Sequence, residues 1–278
     1  MKKKYLLWTI PCFLLITCFL IFPLVIIIST SFNDGGFTLN NYIRFLTDSF
    51  YFNILWRTIR LSLMTTLVCV ILGVPTAYFI TNLPKRKKSI VLTLILFPLL
   101  TNAVVRAFSW MTILGRNGVI NSTLVSLGVI EQPMALLYTE FAIVVGSVYL
   151  FLPIMINVLV SVMDSIEFEA VEAAQTLGCT DIKVFIKVIL PLSFSGILLG
   201  SVLVFTGTVG SYATPALLGG NRNMMLATLL HQQINVLSNW VNAGVISLLM
   251  ISLSAFVMIA MRQINIKLDQ REKDYNNA

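Results

Sequence analysis

Charge is what this chain has least of. Only 11% of its 278 residues are Asp, Glu, Lys or Arg, and 57% are apolar; an ordinary soluble domain carries about 25% charged residues. That balance points to a membrane protein, and the clustering of the charges argues against one or two soluble domains. Other absences narrow the function. There is no G-x-x-x-x-G-K-[ST] stretch, so the chain has no loop of its own to cradle ATP phosphates. It has no H-E-x-x-H pair and no Ser/His/Asp set at plausible depth, which argues against an intramembrane enzyme. The single histidine, His231, falls between the last two apolar stretches, so the buried relay of a proton-coupled secondary transporter is missing. Cys12, Cys18, Cys69 and Cys179 show no metal-ligand spacing, and three of them fall in expected spans; they read as packing residues, with no disulfide framework and no metal site.

What is present is long, uncharged and apolar. Six stretches run without any Asp, Glu, Lys, Arg or His: Tyr5 to Thr30, Leu61 to Pro84, Ser89 to Val105, Phe141 to Met163, Val188 to Asn221, and Gln232 to Met261. A bilayer core needs roughly 20 such residues at about 1.5 Å each. The expectation is one all-α transmembrane domain over 1–278, with six spans near 5–30, 60–82, 89–113, 141–163, 190–214 and 240–262. The first stretch opens like a signal peptide, with Lys2 to Lys4, but is too long and lacks a small-x-small cleavage site, so it stays a span.

With the N-terminus inside, 13 Lys and Arg fall on inner segments against 6 on outer ones, and every lysine is inside. Both termini are therefore expected in the cytoplasm. The +7 net charge is then a topology signal, with no nucleic-acid partner implied. Lys85 to Lys88 read as a short inner turn, with contact to anionic membrane lipid as the alternative. Pro11, Pro23, Gly73, Pro75, Pro98, Pro153, Gly207, Gly210 and Pro215 fall inside spans, most densely from Gly207 to Gly220. Such residues free backbone groups that need partners in a neighbouring helix or a wet cavity. On the outer side, Asn33-Asp34-Gly35-Gly36 signals a turn, and the mixed run Phe37 to Trp56 suits an interfacial helix.

The inner loop 164–188 is different. It holds Asp164, Glu167, Glu169, Glu172 and Asp181, five of the 12 acidic residues. Phe168 to Leu177 reads as a short helix capped by Gly178, with Ala170, Ala173, Ala174 and Leu177 on one small-residue face. Thr180 can cap a second helix running toward Pro191. The product is a helical hairpin offering a flat apolar face to a partner. Spacing alone leaves open an amphipathic helix lying on the membrane surface, although that role favours Trp, Phe and Lys over alanine and glutamate.

The run Glu172-Ala173-Ala174, then Gly178, then Ile189-Leu190-Pro191 resembles the EAA loop of ABC importer permeases, with Cys179 where alanine is common. Val105 to Trp110, Gly115 to Asn121, Leu127 to Ile130 and Pro215 to Gly220 look like the spermidine/putrescine branch of that family, and the resemblance runs from about Phe37 to Met261. It implies a type I importer permease in the cytoplasmic membrane. It implies as partners a second permease subunit, two ATP-binding subunits and an extracytoplasmic solute-binding protein. ATP would be bound by those partner subunits, and this chain would carry no cofactor. Glu172, Ala173, Ala174, Leu177 and Gly178 would transmit the motion of the ATPases.

For the solute path, Asn102, Arg106 and Trp110 recur at i, i+4 and i+8 and share a helix face. Arg106 either lines the path or snorkels to the outer interface. Tyr149, Phe205, Ser211, Tyr212 and Thr214 are polar or aromatic groups near helix breakers, which suits a cavity wall; helix packing is the alternative for each. No Asp or Glu lies in any expected span, so a polyamine would have to be carried past aromatic faces. Opines, amino-phosphonates and other small organic solutes stay open on this count.

Overall fold

The computed structural model describes residues 14–32, 38–166 and 168–276. Residues 5–13 of the first expected span, the turn at Asn33 to Gly36, and Glu167 lie outside that set. The described residues are all helical or connecting, with no strand. In chain order the helices are α1 (Leu14–Ser31), α2 (Asn40–Thr47), α3 (Ser49–Thr81), α4 (Lys85–Leu100), α5 (Ala103–Leu114), α6 (Val119–Ser126) and α7 (Glu140–Met163). There follow α8 (Phe168–Thr176), α9 (Asp181–Leu192), α10 (Phe194–Gly210), the short π-turn α11 (Pro215–Gly219), α12 (Leu226–Asn235) and α13 (Trp240–Asn276).

Four helices, α1, α3, α7 and the Trp240–Lys267 part of α13, are each long and apolar enough to cross a bilayer. Two further spans form only by pairing bent helices: α4 with Ala103–Ser126 at 93°, and α9 with α10 at 63°. The expected third span, near 89–113, thus falls on two helices bent sharply at Thr101, in the manner of a broken span or a re-entrant loop. The breaks do not fall at Pro75 or Pro153, which sit inside uninterrupted helices. They fall at Thr101, whose extended backbone ends α4, and at Ser193, just after Pro191. A π-turn over Phe185–Ile189 precedes that proline, whose ring forbids the ordinary i−4 bond. The interfacial run over 37–56 likewise divides. Asp48 stops α2, and its carboxylate accepts from the Phe50 N–H at 2.8 Å to start α3.

The core is three helices wide. Leu61 packs with Ile143, and Gly73 faces Met155, with the same offset at both points, so α3 and α7 run parallel. Gly196 faces Val162, Gly200 faces Met155 and Gly207 faces Phe151, so α10 runs antiparallel to α7. Apolar helices gain little by leaving lipid for one another, so close contact must come from small residues. Met155 shows this: it is fully buried between Gly73 and Gly200, where an added Cβ would sit 2.7 Å from its Cγ or 2.6 Å from its Sδ. Outside the core, α1 lies against α13, where Gly244 meets Ser31 and the Ile27 carbonyl. The Tyr42 hydroxyl of α2 donates to Ser31 Oγ at 2.7 Å and ties down that end of α1.

The parallel pair defines two ends of the bundle. One carries Arg57, Arg60 and Glu140 and receives the loop from α11 to α12. The other carries Lys88, Asp164 and the α8–α9 hairpin.

Candidate functional site

The hairpin is built by local backbone chemistry. At the end of α8 the Gly178 N–H donates to the Gln175 carbonyl at 2.9 Å, and the Cys179 N–H donates to the Ala174 carbonyl at 3.1 Å. This paired closure needs a left-handed residue, and Gly178 has φ of +83°. Thr180 stands at the N-cap of α9 with extended backbone, but its hydroxyl makes no cap bond. Instead the Asp181 carboxylate accepts from Gln175 Nε2 at 3.3 Å, linking the two arms.

The alanine face divides between two neighbours. Ala174 is half-buried with Val171 against the α3–α7 core, so α8 is anchored on that side. Glu169, Ala170, Glu172, Ala173 and Leu177 are exposed, and Leu177 keeps 86% of its surface uncovered. Ile182, in the first turn of α9, keeps 72%. Two large apolar side chains thus project from adjacent arms of one hairpin. Behind it, Tyr78 of α3 meets Phe185 of α9 with ring centroids 4.6 Å apart. A cavity of about 560 Å3 separates the arms from the bundle, with Asn82, Asp164, Gln175 and Asp181 on its wall. Lys88 Nζ reaches Asp164 at 2.7 Å and pins α4 to the end of α7.

The path candidates have several different placements. Asn102 is the N-cap of α5, its carboxamide oxygen accepting from Val104 and Val105. Arg106 does not stand free: Nη1 donates to the Pro98 carbonyl at 2.9 Å and the Thr101 carbonyl at 3.4 Å. It braces the 93° corner by supplying a cation to the open carbonyls ending α4. Phe205 is 2% exposed and Thr214 5%, the latter packed against Gly146, so both are interhelical contacts. Ser211 is half-buried at the end of α10. Trp110 and Tyr149 meet edge to face with centroids 5.5 Å apart. Tyr212 stacks on His231, 4.3 Å between centroids and 23° between planes. The sequence offered no signal for that second partner, because α12 brings His231 back across a loop with no local pattern.

At the opposite end Glu140 is shared. Oε1 takes Arg57 Nε at 3.1 Å and Oε2 takes an Nη of Arg60. Arg57 Nη1 also donates to the carbonyls of Arg222 and Met224. Nearby, the Leu226 N–H donates to the buried Thr58 hydroxyl at 2.9 Å. Three segments distant in sequence are therefore fastened together.

Residues 69–270 match the family of binding-protein-dependent transport system inner membrane components. The spermidine/putrescine transport system permease protein PotB of Escherichia coli (strain K12) is 34% identical over 230 residues, covering 80% of this chain and 83% of that protein. PotB of Haemophilus influenzae is 28% identical over 261 residues, 91% of each. Among solved structures, a chain of a bacterial ABC transporter involved in the import of the acidic polysaccharide alginate superposes with a TM-score of 0.81 at 16% identity, covering 96% of each chain. A chain of the MetNI methionine ABC transporter in an inward-facing conformation gives 0.58 at 15% identity, covering 83% of this chain and 97% of that one. At these identities the likeness to the solved structures is one of fold.

Proposed function

The chain belongs to the binding-protein-dependent transport system inner membrane components, and from that premise we propose that it conducts a polyamine, spermidine or putrescine, through the cytoplasmic membrane. It is a permease subunit of an ABC importer, and the hydrolytic site lies in partner subunits. The observation that carries the polyamine assignment is the kinship with PotB over four-fifths of the chain. The hairpin end faces the cytoplasm, where the lysines gather, and both termini lie on that side. A second permease subunit completes the path, two ATP-binding subunits dock on the hairpins, and a solute-binding protein delivers cargo to the arginine end.

The mechanism follows from how α8 is mounted. It hangs directly below α7 and leads through Gly178 into α9 and then α10. When the ATPases close on ATP, force on Leu177, Ala173 and Glu172 passes into two of the three core helices at once. The closely packed seam at Gly73, Met155 and Gly200 then moves as a unit, because a packed interface shifts between discrete arrangements and does not deform smoothly. Gly178 keeps the lever stiff by closing the end of α8.

One observation favours a second reading. A polycation finds no carboxylate within the spans expected from the sequence, which keeps an opine or amino-phosphonate open. ATP hydrolysis by the purified complex in nanodiscs, with its binding protein and spermidine or putrescine, separates the two. Stimulation by polyamine is expected. Hydrolysis indifferent to polyamine removes that solute but leaves the permease assignment, whereas failure to co-purify with any ATPase removes the coupling role of the hairpin.

A further inference from the structure

The spans expected from the sequence hold no carboxylate, which raises a question of recognition, and the aromatic pairs give an answer. Of the two pairs involving path candidates, Trp110–Tyr149 is set edge to face, with Tyr149 presenting its exposed side from α7. In Tyr212–His231 the rings lie face to face, which leaves the far face of each ring to whatever approaches. Tyr212 is 42% exposed and His231 is exposed as well. Tyr212 stands just beyond the last turn of α10. There Gly210 has open space where a side chain would be, and Leu199 and Leu203 continue an uncovered face along the same helix. Register between α7 and α10 puts Tyr149 level with this end of α10, so both pairs stand at one depth.

Three of the arginines are already held on other groups. Arg57 and Arg60 are held on Glu140, with Arg57 also on two carbonyls, and Arg106 is held on the carbonyls of Pro98 and Thr101. A cation over the face of a tyrosine within about 6 Å of the ring centre is attracted by the ring quadrupole, and a weak site of this kind binds without trapping. We propose that the Tyr212–His231 stack is a platform for an organic cation on the solute path, with Tyr212 touching the solute and His231 the positioning residue that holds the tyrosine face-on. The inference rests on the polyamine reading. The imidazole serves as a flat ring at this position, so a planar apolar ring can replace it. A guanidinium cannot, because it would occupy the tyrosine face as a competing cation.

The test is uptake of spermidine and of putrescine per ATP hydrolysed, in proteoliposomes holding the whole complex and its binding protein. The variants are Tyr212→Leu, His231→Arg and His231→Phe, each first shown to co-purify with the ATPase subunits. Tyr212→Leu and His231→Arg are expected to lower spermidine moved per ATP roughly tenfold. Putrescine, with fewer charges, falls less, and His231→Phe stays near wild type. Wild-type ratios in both Tyr212→Leu and His231→Arg overturn the proposal. So does an equal loss in His231→Phe and His231→Arg, which would mean that a flat ring is not what this position supplies. If the wild-type complex moves no polyamine at all, the solute assignment itself has failed and the platform falls with it.

Discussion

The two ends of the bundle are fastened on opposite principles. At the arginine end, one carboxylate serves two guanidiniums from α3, a third contact reaches the loop before α12, and Thr58 closes the same joint from inside. At the hairpin end, α8 is anchored through Val171 and Ala174, the arms are linked by the Gln175–Asp181 bond, and Lys88–Asp164 joins α4 to α7. Leu177 and Ile182 stand uncovered on the hairpin, while at the opposite end Arg57, Arg60 and Glu140 turn onto one another. On the proposed mechanism, the lightly held hairpin end is the one that follows a partner's motion, and the cross-tied arginine end is the one about which the helices turn. Regions with few buried contacts are the ones that open or move at least cost.

The largest expected effect lies at the hairpin. Leu177→Asp puts a carboxylate on its most exposed apolar side chain, and should weaken ATPase docking by roughly 30-fold or more, as for a central interface anchor. Glu172→Lys and Gly178→Asp act in the same direction, the latter by disturbing the φ of +83° that closes α8. In all three the permease should reach the membrane while co-purification with the ATPase and uptake are lost. Normal uptake would remove the hairpin from the coupling role.

Glu140→Ala is expected next. It leaves Arg57 and Arg60 without their shared acceptor and should cost about 1 kcal/mol of stability, a modest figure because these side chains are 24% to 45% exposed. A lowered unfolding temperature with ATPase docking intact is the expected pattern. Lys88→Ala comes last. Its partner Asp164 is 42% exposed, so loss of the pair should cost less than about 0.5 kcal/mol. If Lys88→Ala destabilises the protein more than Glu140→Ala, the contrast between the ends is wrong.

The hairpin was the most legible part of the chain. A glycine after a run of alanines, followed by Thr-Asp, marks a helix stop and a helix start, and both occur where those residues stand. Periodicity also put Ala170, Ala173, Ala174 and Leu177 together, but had no means of telling that Ala174 turns inward while Leu177 turns out. The solute-path residues were less legible. Arg106 does share α5 with Trp110 and Asn102 caps that helix, yet the side chains of Asn102 and Arg106 serve the corner between α4 and α5. Polar character marked them as unusual, and the same character equips a residue to cap a helix or to line a cavity.

What the sequence determined by itself, then, is whatever depends on neighbours along the chain. The lengths of the apolar runs set the long helices, and the Gly178 turn shapes the hairpin. The tertiary structure alone decided which faces meet. Tyr212 finds His231, and Glu140 finds two arginines 83 and 80 positions away, only because α3, α7 and α10 settle into one rotation and register. That register is set by side chains seated against glycines on facing helices, Met155 between Gly73 and Gly200 above all. Such a fit is a property of two or three surfaces together, so no single stretch of sequence carries it.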